Sequence, residues 1–217
     1  MTELTSKRFH PLYLLAVVYV IAVYAFPFLW FALNPATGDN VQADGLTPAM
    51  ILPLLLPAVM GLVNLGAVIV CWNRISRVQL LYCAAIIKYS LIPFFIAGGL
   101  CIALAWLLTF SPVVIMIFVG PMVVAVFSVL GYLSMLGSAP FAIGYLIRSR
   151  QEQVHHPLLL LAGGILQFFF TADTISLMVL ALKEKRCVKP TIVLGALLML
   201  GLMALGALVI YEIAAHA

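Results

Sequence analysis

Lys88 and Asp173 are ionisable residues set deep inside apolar runs, LLYCAAIIKYSLIPFF and ILQFFFTADTISLMVLALKEKR. A charge at the centre of a membrane helix costs on the order of 2.5–3.5 kcal/mol to insert, so such a residue faces the bundle interior or a cavity and needs a partner. Lys88 lies eleven residues from Arg77, Asp173 ten before Lys183, and Asn64 nine before Asn73. If those flanks share one side of the membrane, a rise of about 1.5 Å per residue places all three side chains roughly 15 Å deep. A Lys88–Asp173 pair with Asn64 nearby is the expectation.

Gln167, Thr171 and Thr174 recur at i, i+4 and i+7, while Asp173 and Ser176 leave the same run on another side. A helix polar on two faces belongs in the centre of a bundle. The functional reading is a binding layer of Asn64, Lys88, Gln167 and Asp173. There Lys88 holds an anionic group, and Asp173 neutralises it or exchanges a proton. The structural reading is a buried pair that sets helix register, or a Lys88 that snorkels to the interface. Hydroxyls such as Thr174 commonly bond back to their own helix, and Phe168, Phe169 and Phe170 read as packing.

Other chemistry-bearing residues carry less. His155 and His156 in RSRQEQVHHP lack a third ligand nearby and read as solvated loop residues. Glu212 and His216 have metal-pair spacing on a chain end only. Cys71, Cys83, Cys101 and Cys187 share no ligand spacing, so neither a disulfide framework nor a zinc site is expected. Pro93 frees a carbonyl near Tyr89, and broken helices of that kind can line transport sites. No nucleophile–base order, HExxH or phosphate loop occurs, and no cofactor is expected.

The elements that must position these residues follow from composition. Charged residues are 8% of 217 and hydrophobic residues 65%, with a mean hydropathy of +1.22. A soluble domain carries roughly a quarter charged residues, so this surface faces lipid. The class is an all-α, polytopic membrane bundle, a single domain over residues 1–217. A span needs about 20 apolar residues. Six long spans are expected: Pro11–Leu33, Pro48–Trp72, Leu80–Leu108, one from Val113, Pro157–Leu182 and Pro190–Ile213. Trp30, Trp72 and Trp106 mark interfaces. The linker Asn34–Thr47 is the longest polar stretch.

Val113–Ile147 is too long for one crossing, at some 50 Å, and must break at Gly131, Gly137 or Pro140. Its second part, Tyr132–Ile147, is a short seventh crossing, or else a re-entrant or interfacial helix. With a cytoplasmic N-terminus, six spans leave Lys183, Lys185, Arg186 and Lys189 outside. Seven leave only Arg148 and Arg150 there, which the positive-inside rule favours. Ser134, Ser138 and Ala142 form a small-residue stripe suited to close helix contact. Gly195, Gly201 and Gly206 miss that spacing.

The net charge of +4 belongs to these topogenic loops and not to a nucleic-acid surface. The expected function is to bind or transport a small solute at the mid-membrane polar layer of a multi-pass cell-membrane protein. The alternative is a non-transporting accessory, scaffold or regulatory subunit whose polar layer is structural, and an enzyme acting on lipid comes third. Expected partners are the lipid bilayer, a small solute, and a second copy or partner membrane subunit.

Overall fold

The computed structural model describes residues 11–33, 48–110, 114–169 and 172–215. Among them all the regular secondary structure is helical, with no strand. The helices are α1 (Pro11–Leu33), α2 (Pro48–Val70), α3 (Arg77–Thr109), α4 (Val114–Leu136), α5 (Ala139–Gln151), α6 (Pro157–Leu166), α7 (Ala172–Lys183) and α8 (Val188–Ala215), with a 3-10 turn at Trp72–Arg74. Four stretches are long and apolar enough to cross a membrane: Pro11–Trp30, Ile51–Val70, Arg77–Thr109 and Ile115–Gln151. Their outward faces are apolar, as at Phe28, Leu52, Val70, Phe110 and Phe118, which suits a lipid solvent. This is a membrane protein. The linker Asn34–Thr47, Lys7, Arg8, Phe170, Thr171 and His216 lie outside the described residues.

α3 is the spine. It begins three residues earlier than apolarity alone predicts, because Ser76 and Gln79 form a capping box. The Ser76 hydroxyl accepts from the Gln79 N–H at 3.3 Å, and Gln79 Oε1 accepts from the Ser76 N–H at 2.9 Å. α1 runs alongside α3 in the same direction, with Tyr24 donating to the Ser90 carbonyl at 2.8 Å and Phe26 edge-on to Phe94. The Tyr24 bond lands one residue beyond Tyr89, whose carbonyl is the one that loses its donor at Pro93.

The break expected within Val113–Ile147 occurs at Gly137 and Ser138. α4 and α5 then follow one another back along α3: Gly120 lies against Thr109, and Gly144 against Leu80. Tyr132–Ile147 is thus the second part of a single broken path, not a crossing of its own. Glycine is required at the break. A Cβ on Gly137 would stand 2.2 Å from the Tyr19 hydroxyl, and one on Gly61 would stand 2.7 Å from the Gly137 Cα. Tyr19 donates to the Ser134 carbonyl at 2.6 Å there. The stripe Ser134, Ser138 and Ala142 is buried at this junction, although the break divides it between two helices. Gly195 and Gly201 in α8 meet nothing.

The larger departure is Pro157–Leu182. It is not one span but two short helices, α6 of 10 residues and α7 of 12, about 15 and 18 Å long against a ~30 Å hydrocarbon core. They lie antiparallel. A Cβ on Gly163 would stand 3.2 Å from Ser176 Oγ and 3.7 Å from a Leu180 methyl, and His155 before α6 reaches Glu184 after α7 at 3.2 Å. Both limbs therefore start and finish at one end of the bundle. Arg77 pairs with Glu184 at 2.9 Å, so Lys183, Lys185 and Arg186 share that end with Arg74 and Arg77. That common end is reached through a hairpin and not through a seventh span, and Arg148, which the seven-span reading sets on the opposite side, bonds the Trp72 carbonyl at this same end.

Gly61→Ala is expected to destabilise the protein by about 1–3 kcal/mol, since the new methyl meets backbone that cannot yield. Gly66→Ala on the same helix, where nothing lies within 4 Å, should be neutral or slightly stabilising. Thermal melts of both variants in one detergent check the pair; equal losses would place the close approach elsewhere.

α5 and α7 also close alike. The Val154 N–H bonds the Ser149 carbonyl and the Gln153 N–H that of Arg150, while the Arg186 N–H bonds Ala181 and the Lys185 N–H bonds Leu182. These are Schellman closures, in which glycine usually takes the left-handed residue. Here Gln153 (φ 53°) and Lys185 (φ 54°) take it, at about 1–2 kcal/mol each. Lys185→Gly should raise the melting temperature by relieving that strain, and a lowered value would show the side chain to be structurally required.

Candidate functional site

The hairpin positions the site. α6 ends at Leu166 with Gln167 as its C-cap, and α7 has Asp173 in its first turn. Both therefore project at the hairpin's inner end, beside the middle of α3. Lys88, eleven residues into the membrane part of α3 from Arg77, meets them there. Its Nζ lies 2.9 Å from Asp173 Oδ2 and donates to Gln167 Oε1. Lys88 is 2% exposed, Asp173 3% and Gln167 1%. The second carboxylate oxygen of Asp173 accepts from the Thr174 hydroxyl at 3.0 Å.

Helix geometry favours this placement twice. A cation is stabilised at a helix C-terminus and an anion at an N-terminus. Lys88 sits at the C-terminal end of α6, and Asp173 lies in the first turn of α7. The pair offsets charges that would each be costly alone in hydrocarbon, and the helix ends stabilise both. The Gln167 amide nitrogen Nε2 has no hydrogen-bond partner among the described residues, leaving one buried donor at the triad unused.

Asn64 is not part of this group. Its Nδ2 donates to the Gly137 carbonyl at 2.9 Å, at the α4–α5 break, where a carbonyl outside both helices needs a donor. Its Oδ1 has no partner among the described residues. The expected four-residue layer is therefore a triad at the hairpin and a separate clamp at the other helix break. Gln167 and Thr174 do not form one stripe, since they belong to different helices. Ser176 faces Gly163 across the hairpin. Phe168 and Phe169 are exposed at its inner end, facing outward from the protein.

His155 and His156 also differ from expectation. His155 is enclosed: its Nε2 lies 3.2 Å from both the Tyr145 hydroxyl and Glu184 Oε1. Its neighbour His156 caps α6, with its ring Nδ1 accepting from the Leu158 N–H at 3.4 Å. Tyr145 donates to the same Glu184 oxygen at 2.5 Å, and Arg77 stands 3.0 Å from Glu152 as well. Arg148 donates to the Trp72 carbonyl and lies over the Trp72 ring at 5.0 Å. Among the described residues no group of three His, Cys, Asp or Glu side chains is arranged for a metal. Burial pushes the Cys187 thiol up from its usual range, which makes it a poor nucleophile.

Two cavities stand out. One, about 470 Å³, is lined by Arg77, Val78, Val154, His155, Lys183, Glu184 and Arg186. The other, about 700 Å³ and mainly apolar, lies between α2 and α5 around Trp72 and Ile143. Neither is lined by Lys88, Gln167 or Asp173. The sequence held signals for the hairpin that apolarity hid: Gly163 and Gly164 near a helix end, then Thr171 and an acid at a helix start.

Removing one partner of the pair should destabilise more than removing both. Lys88→Met and Asp173→Asn are each expected to lose about 3 kcal/mol, as for other buried pairs, and the double variant should recover part of it. Melting of the four proteins in one detergent measures the coupling, and strict additivity would refute it.

No curated protein and no solved structure matches this chain. A family model matches residues 8–186, a stretch that contains the broken α4–α5 path, the hairpin, the Lys88 triad and the cavity at the hairpin's base. The chain belongs to the family described as a family of unknown function, DUF6652.

Proposed function

We propose that this is a multi-pass cell-membrane protein that binds or moves a small solute at the inner end of the α6–α7 hairpin. The reading rests on one observation: a buried lysine held by Gln167 and Asp173, which come from the two broken ends of a discontinuous helix pair. Discontinuous helices near mid-membrane are how many transporters present polar groups and helix dipoles to a substrate. In the arrangement described, Lys88 is neutralised internally. An acidic group on a solute would replace Asp173 on the ammonium, and the displaced carboxylate would take up a proton or the solute's own cation. The unused Gln167 amide donor would serve the same group.

The proposed topology has α1, α2, α3, the α4–α5 path and α8 crossing, with the hairpin entering and leaving from the basic side. The positive-inside rule makes that side cytoplasmic. Cysteine labelling should then reach Arg77→Cys and Lys185→Cys from the same side and Phe169→Cys from neither. Labelling of Arg77→Cys and Lys185→Cys from opposite sides would remove the hairpin.

The full burial of the triad supports a second reading, in which the protein is an accessory subunit and the pair only pins the hairpin. Native mass spectrometry of the wild type and of Lys88→Met/Asp173→Asn in lipid separates the two. A small molecule retained by the wild type and lost in a still-folded double variant supports solute binding. Identical spectra, with or without a bound second subunit, support the accessory reading.

A further inference from the structure

The cavity at the base of the hairpin is a separate site from the Lys88 triad, about 16 Å away along α3 by helix rise. Its charged lining is Arg77, Lys183, Arg186 and Glu184, with His155 beside them. Glu184 turns one carboxylate oxygen, Oε1, to Arg77, Tyr145 and His155. Arg77 in turn is shared between Glu184 and Glu152. Lys183 and Arg186 have no ion-pair partner among the described residues. Two cations therefore line a hollow of about 470 Å³ with no carboxylate assigned to them.

The backbone around this hollow is unusual in a consistent way. Every left-handed non-glycine residue among those described, Gln153, Lys185 and Cys187, lies in the two loops that border it. The Schellman closures of α5 and α7 place Val154 and Arg186 at equivalent positions just beyond the left-handed residue, and both line the cavity. The C-terminal dipoles of α5 and α7 would favour a cation there. The N-termini of α3 and α6, which open at the same end, oppose them with the reverse sign. The helix ends largely cancel, and the side-chain charges decide the sign. That sign is positive, at the end of the bundle that carries the basic residues.

We infer that this cavity binds a phosphate group, held by Lys183 and Arg186 with Arg77 behind them. The guanidinium of Arg186 supplies paired N–H donors suited to phosphate oxygens, and Lys183 a mobile ammonium. Basic hollows between helices at a membrane face are suited to phosphorylated headgroups, and a free phosphate offers the same oxygens.

Full-length protein in zwitterionic detergent is titrated separately with phosphatidylglycerol, phosphatidylcholine and inorganic phosphate, and retained adducts are read by native mass spectrometry. Retention of phosphatidylglycerol over phosphatidylcholine assigns the site to a lipid headgroup, and retention of inorganic phosphate assigns it to a soluble phosphate. In either case Lys183→Gln/Arg186→Gln should weaken binding by about 30-fold, at the usual contribution of each basic residue near a membrane surface. Val78→Phe, which fills the hollow and keeps every charge, should weaken it too. Lys189→Gln, exposed and outside the cavity, should not. Equal retention of both lipids without any phosphate adduct overturns the proposal. So does wild-type binding by the double variant, or a loss in Lys189→Gln as large as in the double variant. None of these readouts depends on Lys88 or Asp173, so this site and the solute layer stand or fall separately.

Discussion

An ammonium group buried inside an apolar helix bundle organises the inner half of this molecule. Lys88 cannot remain charged against lipid without a counter-ion, and its own helix supplies none: between Arg77 and Thr109 the chain carries no acid. The partner has to come from another element and reach the same level of the bundle. A continuous apolar helix could bring Asp173 there, yet it would leave the Gln167 carbonyl group on a different turn. Breaking the segment brings Gln167 and Asp173 to one point, with the helix ends adding favourable dipoles on both sides of the pair. The hairpin and the buried lysine thus require each other.

Two breaks in the helical ladder are handled by different means. At Gly137 the chain bends where the α2 backbone and the Tyr19 side chain of α1 close on it, and the freed carbonyls are satisfied by Asn64 and Tyr19. Near Gln167 the chain reverses, and the polar groups released are used to solvate a charge. In a bilayer every free backbone or side-chain polar group needs an internal partner. Most buried polar residues here, Asn64, Gln167, Asp173 and Ser134 among them, sit at or beside one of those two breaks.

The far end of the hairpin is held by a denser charge network. Glu184 gathers Arg77, Tyr145 and His155, tying α3, α5, the start of α6 and the end of α7 together. Buried charges in such a network define one arrangement more than they add stability. Nothing local in the sequence announces this network, because Arg77 and Glu184 stand 107 positions apart.

The class of the protein, its membrane character, the α1 limits and the need for a break between Val113 and Ile147 were all legible in the sequence. Each depends on local quantities: apolarity per residue, rise per residue and the few positions able to interrupt a helix. The Lys88–Asp173 pairing was legible for a similar reason, since two lone charges in apolar runs have few other partners. What the tertiary structure decided was how the depths match. Pro157–Leu182 is apolar enough to span, and apolarity does not distinguish a helix that continues from one that folds back. Packing decides it: Gly163 lets α7 lie against α6 at Ser176, and Arg77 holds Glu184 at the end where α6 began. A different contact, the bond to the Gly137 carbonyl, takes Asn64 out of the expected layer, because its depth is readable from spacing while the neighbour it faces depends on how separate helices pack.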